Sequence, residues 1–167
     1  SSRVVEIFSS GIGFAALKSD GSVYSFGAQW CGFTAVNSGV ISIFSNENAF
    51  AALKSNGSVV TWSVSSCGGI SATGAGDSSS VSSELSSGVV SIFSTTGAFA
   101  ALKSDGSVVT WGQSDCGGSF GPVVKSKLSS GVTSIISTDC AFAAVKSDGS
   151  VITWGDSYTG GDSSSVS

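Results

Sequence analysis

The sequence predicts an all-β fold, namely a β-propeller made of four repeats. Three observations lead to this prediction: one motif returns four times, every copy consists of short alternating segments, and every copy contains a turn typical of a hairpin. The motif is Phe-Ala-Ala-Leu-Lys-Ser-Asp-Gly-Ser-Val in its most regular form, and it occupies residues 14–23, 50–59, 99–108 and 142–151. Four repeats in 167 residues average about 42 residues each, which is the length of a propeller blade.

Each repeat contains three predicted strands, which are short and rich in Val, Ile, Phe, Trp and Thr. The first strands cover residues 4–8, 40–44, 89–93 and 132–136, the second open the motif, and the third cover residues 23–27, 59–63, 108–112 and 151–155. A fourth, outer strand is expected in the connector that leads to the next repeat. Because no apolar stripe of period 3.6 persists for three turns, we expect little or no helix.

The second and third strands of each repeat are joined by Lys-Ser-Asp-Gly-Ser, or by the same sequence with Asn in place of Asp. Asp-Gly or Asn-Gly between two strands predicts a type I′ turn, in which both central residues have positive φ. The predicted hairpins cover residues 14–26, 50–62, 99–111 and 142–154. Because the turns themselves require Asp20, Asp105 and Asp148, we do not expect these carboxylates to be catalytic.

Composition excludes several classes of function. The chain carries 41 Ser and 23 Gly, a net charge of −4, and no histidine, so a Ser-His-Asp or Cys-His catalytic centre is excluded. Seven scattered cations argue against nucleic acid as a partner. No apolar run approaches the roughly 20 residues that cross a bilayer, so no transmembrane segment is expected, although a partner complex could be membrane-bound. We expect no cofactor and no metal.

The motifs resemble those of the regulator of chromosome condensation repeat family, most closely the tandem-repeat versions predicted in unicellular algae. The matching stretches in the first and third repeats are Ala16-Leu17, Asp20-Gly21 and Val23-Tyr-Ser-Phe-Gly27, and Ala101-Leu102, Asp105-Gly106 and Val108-Val-Thr-Trp-Gly112. The resemblance covers nearly the whole chain and implies a propeller, usually of seven blades, that binds partners through its loops. Two features depart from the family: there are four repeats, and Cys-Gly-Gly replaces the Gly-Gln-Leu-Gly close. The nucleotide-exchange activity of the founding member is not implied, because no loop here matches its loops.

We place the repeats at approximately 1–36, 37–85, 86–128 and 129–167 within a single domain, residues 1–167. Since the chain holds a whole number of repeats, two architectures remain open. Four blades close into a small ring, or they form a segment of a longer propeller. We favour the closed ring, because closure leaves no strand edge unpaired.

The cysteines suggest one crosslink. Cys31, Cys67 and Cys116 hold the same repeat position, which Thr159 takes in the fourth repeat, and their repetition is typical of small buried side chains. Cys140 has no counterpart in the other repeats, so a Cys116–Cys140 disulfide between adjacent repeats is a candidate. A metal site with four thiolates is disfavoured, because the chain contains no Cys-x-x-Cys pair.

The candidate partner contacts are one tryptophan and one set of repeated lysines. Trp30 has no counterpart in the other repeats and stands near a loop, so we take it as a candidate exposed anchor. The repeated aromatic residues are Phe26, Trp62, Trp111 and Trp154, which we expect to pack between blades. The repeated lysines are Lys18, Lys54, Lys103 and Lys146, and a propeller would place them along one rim, facing either solvent or an acidic partner.

The leading functional hypothesis is a non-catalytic scaffold or protein–protein interaction module, a peripheral subunit of a larger assembly. Its partners would be other protein subunits, and the resemblance points to an algal organellar or photosynthetic complex. For the compartment, an organellar or extracytoplasmic lumen is favoured. One alternative is a propeller that binds a small ligand or glycan. The other is a glycosidase-like enzyme, for which the candidate carboxylates are Glu6, Glu47 and Glu84.

Overall fold

The structure, a computed structural model, describes residues 2–11, 13–27, 35–63 and 76–163. It is an all-β propeller of four blades, as the sequence predicts, and every blade is an antiparallel sheet. The strands are β1 (Val4–Ser9), β2 (Gly13–Lys18), β3 (Val23–Gly27) and β4 (Ala35–Val36) in blade 1; β5 (Val40–Ser45), β6 (Ala49–Lys54) and β7 (Val59–Ser63) in blade 2; β8 (Val89–Ser94), β9 (Ala98–Lys103) and β10 (Val108–Gly112) in blade 3; and β11 (Val132–Ser137), β12 (Ala141–Lys146) and β13 (Val151–Gly155) in blade 4. The four predicted hairpins are therefore confirmed.

The first strand of each blade lies nearest the propeller axis. Strands β1, β5, β8 and β11 contact one another in sequence from blade to blade, so we call them the axial strands. Within each blade the strands follow chain order outward from the axis. Blades therefore stack sheet against sheet around the axis, and both faces of an inner blade are covered.

The predicted outer strand is present in blade 1 and absent from the described parts of the connectors of the other blades. Among the described residues only blade 1 has one, β4, which pairs with β3. In the other blades the described connectors form short 3-10 helices, and the connector after β10 also forms the helix α1 (Pro122–Lys127). Pro122 lacks the N–H that a strand ladder needs, and Gly117 before it has a left-handed φ of +88°, so this connector turns instead of extending along the sheet.

The hairpin turns have the predicted position but a different geometry. In blade 3 the Lys103 N–H donates to the Ser107 carbonyl and the Gly106 N–H donates to the Lys103 carbonyl, which defines a three-residue loop. Only Gly106 in this loop has a positive φ, +78°, so Asp105 keeps an ordinary backbone conformation. The turn is a type I turn followed by a left-handed glycine, not the predicted type I′ turn. In this geometry only the glycine has a positive φ. The aspartate therefore avoids the left-handed conformation that a type I′ turn would require of it.

The turns of blades 1, 2 and 3 also contact the next blade. The Gly106 carbonyl accepts a hydrogen bond from the Val132 N–H at the start of β11. A Cβ on Gly106 would lie 2.7 Å from the Gly131 nitrogen, so the backbones meet at a distance that only glycine allows. The same bond links Gly21 to Val40 and Gly57 to Val89.

The core lies between the blades. One cluster joins blades 1 and 2, another joins blades 2 and 3, and a third joins blades 3 and 4. Seven of the eight paired alanines of the second strands are buried, and Ala143 of blade 4 is partly buried. A larger side chain at the buried positions would hold neighbouring sheets apart. Large aromatic residues fill the remaining space: Trp62, Trp111 and Trp154 stack on Phe50, Phe99 and Phe142 with ring centroids 5.3–5.4 Å apart. The predicted packing of the tryptophans between blades is thus observed.

The end blades pack on one side only. Phe14 of blade 1 corresponds to Phe99 in repeat position, yet it is 47% exposed whereas Phe99 is fully buried. On the opposite end, Val151 of blade 4 is 52% exposed, while its counterpart Val108 in blade 3 is buried. The two end faces are therefore not packed against each other. The favoured closed ring is therefore not seen among the described residues, and the alternative, a segment of a longer propeller, stays a prediction.

Candidate interaction surface

The axial strands carry a repeated β-bulge. The register shifts between Val4 and Glu6, and the same shift occurs in all four blades, so one extra residue stands in each axial strand. The extra residues are Val5, Ile41, Val90 and Thr133. A bulge turns its side chain away from the regular alternation, and these side chains are all exposed.

Val5, Ile41 and Val90 therefore form what we call the axial row. Each of these apolar side chains is more than half exposed. In β5 and β8 this contrasts with the neighbouring Val and Ile residues, which are buried in the blade interfaces. Isolated exposed aliphatic residues are common, but apolar residues at one register position of three adjacent strands are characteristic of a contact surface. Sequence reasoning missed this row, because strict alternation cannot locate a bulge.

The repeated lysines lie at the ends of the second strands, next to the hairpin turns. All four side chains are half-buried. The Lys103 Nζ donates to the Glu84 carbonyl at 2.8 Å, and the Lys146 Nζ donates to the Lys127 carbonyl at 2.8 Å. In these two blades the ammonium group binds the connector that precedes the blade. The use of Lys18, Lys54, Lys103 and Lys146 as a basic rim for an acidic partner remains a prediction.

Cys116 and Cys140 form a disulfide in the structure. Cys116 ends the 3-10 helix after β10, and Cys140 lies in the turn between β11 and β12, so the bond joins blade 3 to blade 4. The Thr96 hydroxyl lies 3.2 Å from the Cys140 sulfur and donates to the Asp139 carbonyl at 2.8 Å. The crosslink thus reinforces an interface that is already hydrogen-bonded.

The remaining candidates from the sequence are Trp30 and three glutamates. Trp30 lies outside the described residues, as do Cys31 and Cys67. The three glutamates of the glycosidase alternative lie in different kinds of element: Glu6 is in an axial strand, Glu47 is in a turn between strands, and Glu84 is in a 3-10 helix of a connector. Their pairing in one catalytic centre has no support from these positions.

The described residues form small grooves and no cluster of side chains that could hold a metal ion. One groove of about 190 Å³ lies beside the outer edge of β10 and is lined by Glu84, Val109, Phe120 and Lys125 among others. Within the described ranges, no three residues of the types His, Cys, Asp and Glu are placed to share a metal ion. No helix in this part of the chain has both the length and the hydropathy to span a bilayer.

The turn carboxylates are ionised more easily than usual. The Ser22 hydroxyl donates to Asp20 at 2.6 Å and the Ser22 N–H donates at 3.0 Å, and these bonds, with a further one from Ser2, lower the pKa of Asp20 to about 2. Hydrogen bonds from the serine two residues later lower the pKa of Asp105 and Asp148 in the same way. In blade 2 the uncharged Asn56 accepts the same two bonds from Ser58.

Because the folded-state pKa of these aspartates lies below that of the unfolded chain, their contribution to stability is complete above about pH 4 and is lost as pH falls through the folded pKa. We expect the midpoint of urea unfolding to fall between pH 4 and pH 2. The triple variant Asp20→Asn, Asp105→Asn, Asp148→Asn, which copies the turn of blade 2, should show a smaller fall over the same range. Equal pH dependence of the variant and the wild type would contradict this assignment.

Comparison with known proteins places the fold. No family model matches the chain, and no curated protein does. Solved structures do match: yeast RCC1 (Prp20) bound to Kap60 has a TM-score of 0.60 at 16% identity, over 91% of this chain and 43% of that chain. The CRINKLY WD40 ectodomain of the Arabidopsis thaliana receptor kinase ACR4 has a TM-score of 0.57 at 14% identity, over 92% and 50%.

A third match is the ectodomain of the Physcomitrella patens receptor kinase CR4, with a TM-score of 0.57 at 16% identity, over 92% of this chain and 41% of that chain. These likenesses support an RCC1-like propeller fold, in agreement with the resemblance seen in the motifs. At this level of identity they show the fold alone. The chain spans half or less of the length of the proteins that it resembles.

Proposed function

We propose that this chain is a non-catalytic propeller that binds other proteins, and that it serves as a peripheral subunit of a larger assembly. The observation that carries the proposal is the axial row, Val5, Ile41 and Val90, at one register position of three neighbouring strands. The partner would be a protein with an apolar segment that covers this row. Following the motif resemblance, we propose an algal organellar or photosynthetic complex as the assembly.

The physical case rests on apolar area and rigidity. Burying a Val or Ile side chain stabilises a contact by about 1.5–3 kcal/mol relative to full exposure, so three half-exposed side chains can supply a useful share of a binding energy. The axial strands are fixed by sheet pairing on one edge and by the adjacent blades, so binding orders few groups. Rigid repeat surfaces of this kind are common binding platforms.

One further observation supports protein binding, and another supports an oxidising compartment. Related folds occur in proteins whose structures concern protein partners, namely yeast Prp20 with Kap60 and the same protein with Gsp1p and histones. The Cys116–Cys140 disulfide fits an organellar or extracytoplasmic lumen, because thiols stay reduced in the cytosol.

The experiment is affinity purification of the tagged protein from its native cells, with identification of the proteins that elute with it. The double variant Ile41→Asp, Val90→Asp should lose the partner subunits that the wild type retains. The matched control is Val123→Asp, because Val123 is 67% exposed but lies on helix α1 in a connector. Retention of the same subunits by the double variant, or recovery of the wild type as a free monomer with bound sugar, would overturn the proposal.

A further inference from the structure

We propose that two copies of this chain associate head to tail through their end faces. The leading face is the uncovered side of blade 1, formed by Val4, Ile7, Phe14 and Phe26. The trailing face is the uncovered side of blade 4, formed by Ile136, Val145 and Val151. In the proposed contact, the trailing face of each copy packs on the leading face of the other.

The apolar evidence comes from the three interfaces inside the chain. Each internal interface packs one blade's equivalent of the trailing face on the next blade's equivalent of the leading face. Ile43 and Ile92, the counterparts of Ile7, are 3% and 2% exposed, whereas Ile7 is 59% exposed. The two free faces are therefore the two halves of an interface that the same chain builds three times.

The polar groups at the ends are complementary as well. Between consecutive blades, the Gly11 N–H donates to the Glu47 carbonyl, the Glu47 N–H to Thr96, and the Thr96 N–H to Asp139. This series runs out at both ends: among the described residues, the Asp139 N–H has no acceptor and the Gly11 carbonyl has no donor. A second copy placed head to tail would join these two groups in the geometry of the internal bonds.

A second series repeats the pattern near the axis. The Ser45 hydroxyl donates to the Ser9 carbonyl at 2.7 Å, the Ser94 hydroxyl to Ser45 at 2.9 Å, and the Ser137 hydroxyl to Ser94 at 2.8 Å. In a second copy, the hydroxyl of Ser9 would meet the carbonyl of Ser137 in the first. The end faces thus match in hydrogen-bond direction as well as in the repeat positions of their apolar residues.

One substitution makes the proposed contact weaker than the internal interface of blades 3 and 4. In the interface of blades 3 and 4, the Trp154 indole N–H donates to the Gly117 carbonyl at 3.2 Å. Blade 1 has Phe26 at this repeat position, and phenylalanine has no such donor. We therefore expect a reversible association of chains that fold on their own.

A second copy satisfies both faces at once. A head-to-tail contact closes into a ring or continues into a filament, depending on the rotation per subunit. One chain spans 41–50% of the length of the similar chains, so two copies supply about as many residues as one of them. Two copies give eight blades, which is close to the seven that the motif resemblance implies.

The test is the mass of the purified chain by sedimentation velocity over a range of concentrations. We expect the wild type to reach twice 16.4 kDa, and Ile7→Asp and Val151→Asp each to remain monomeric with unchanged circular dichroism. The matched control is Ile41→Asp, since Ile41 is also 59% exposed but lies in the axial row, so this variant should still form dimers. A monomeric wild type, a filament, or a monomeric Ile41→Asp would overturn the inference.

Mixing the two monomeric variants decides the orientation. In a mixed pair, the intact trailing face of Ile7→Asp can pack on the intact leading face of Val151→Asp, so an equimolar mixture should recover a species of dimer mass. A face-to-face dimer would not be rescued in this way, and failure of the mixture to associate would overturn the head-to-tail contact. The outcome is independent of the proposed function, which is tested by the axial row and not by the end faces.

Discussion

Replacing Phe99 with alanine is expected to lower the free energy of unfolding by about 3–5 kcal/mol. Phe99 is fully buried between blades 2 and 3 and stacks on Trp111 at a centroid distance of 5.3 Å. Its removal leaves a cavity between two sheets that further hydrogen bonds hold in place, so the blades cannot close the gap. A loss of this size is a large share of the stability of an ordinary domain.

The matched control is Phe14→Ala, the same substitution at the same position of blade 1. Phe14 also stacks on an aromatic residue, Phe26 at 5.6 Å, but no preceding blade covers it. We expect a loss of about 1 kcal/mol, measured by urea unfolding at low protein concentration so that self-association does not contribute. Equal losses for the two variants would contradict the claim that the core lies between blades.

Removing the crosslink through Cys140→Ser is expected to cost about 3 kcal/mol. The disulfide spans a sequence separation of 24 residues, and the estimate is the entropy that closing such a loop removes from the unfolded chain. The interface of blades 3 and 4 should then open at lower urea concentration than the other two. The serine keeps the size of the side chain nearly unchanged, so the effect reports mainly the covalent bond.

A reductant provides the second measurement. Wild-type protein in reductant should unfold at the same urea concentration as Cys140→Ser, and reductant should not shift the variant further. A wild type that unfolds at one urea concentration with and without reductant would show that Cys116 and Cys140 are not bonded in the folded protein. Mass spectrometry after alkylation of free thiols gives the same answer by an independent route.

Much of the fold can be predicted from the sequence because the signals are local. The four hairpins depend on Asp-Gly and Asn-Gly between β-branched segments, and both patterns act over fewer than ten residues. The burial of Trp111 follows from its return at the same place in other repeats. Two features could not be predicted, because they depend on the backbone conformation of the folded chain. Pro122 and Gly117 prevent an outer strand, and a single left-handed glycine, Gly106, is enough for the turn.

The interaction surface was harder to predict than the fold. Ile41 and Ile43 are both aliphatic residues of one short strand, but the bulge exposes the first and leaves the second buried in a blade interface. Nothing in their side chains distinguishes them, because a bulge is set by backbone pairing with the neighbouring strand. The lysines, by contrast, could be placed next to the turns, since they directly precede them.

The joint between blades has a consequence for how such a chain diversifies. The Gly106 carbonyl of one blade accepts a hydrogen bond from the Val132 N–H of the next blade, and equivalent pairs such as Gly57 and Val89 are bonded in the same way. Backbone atoms are common to every residue, so neighbouring units recognise each other with little demand on their exposed side chains. A repeat can therefore be duplicated, and its connectors can lengthen or change in sequence, while the backbone hydrogen bonds between neighbouring blades are preserved. Variation accumulates in the connectors, where new partners can be acquired.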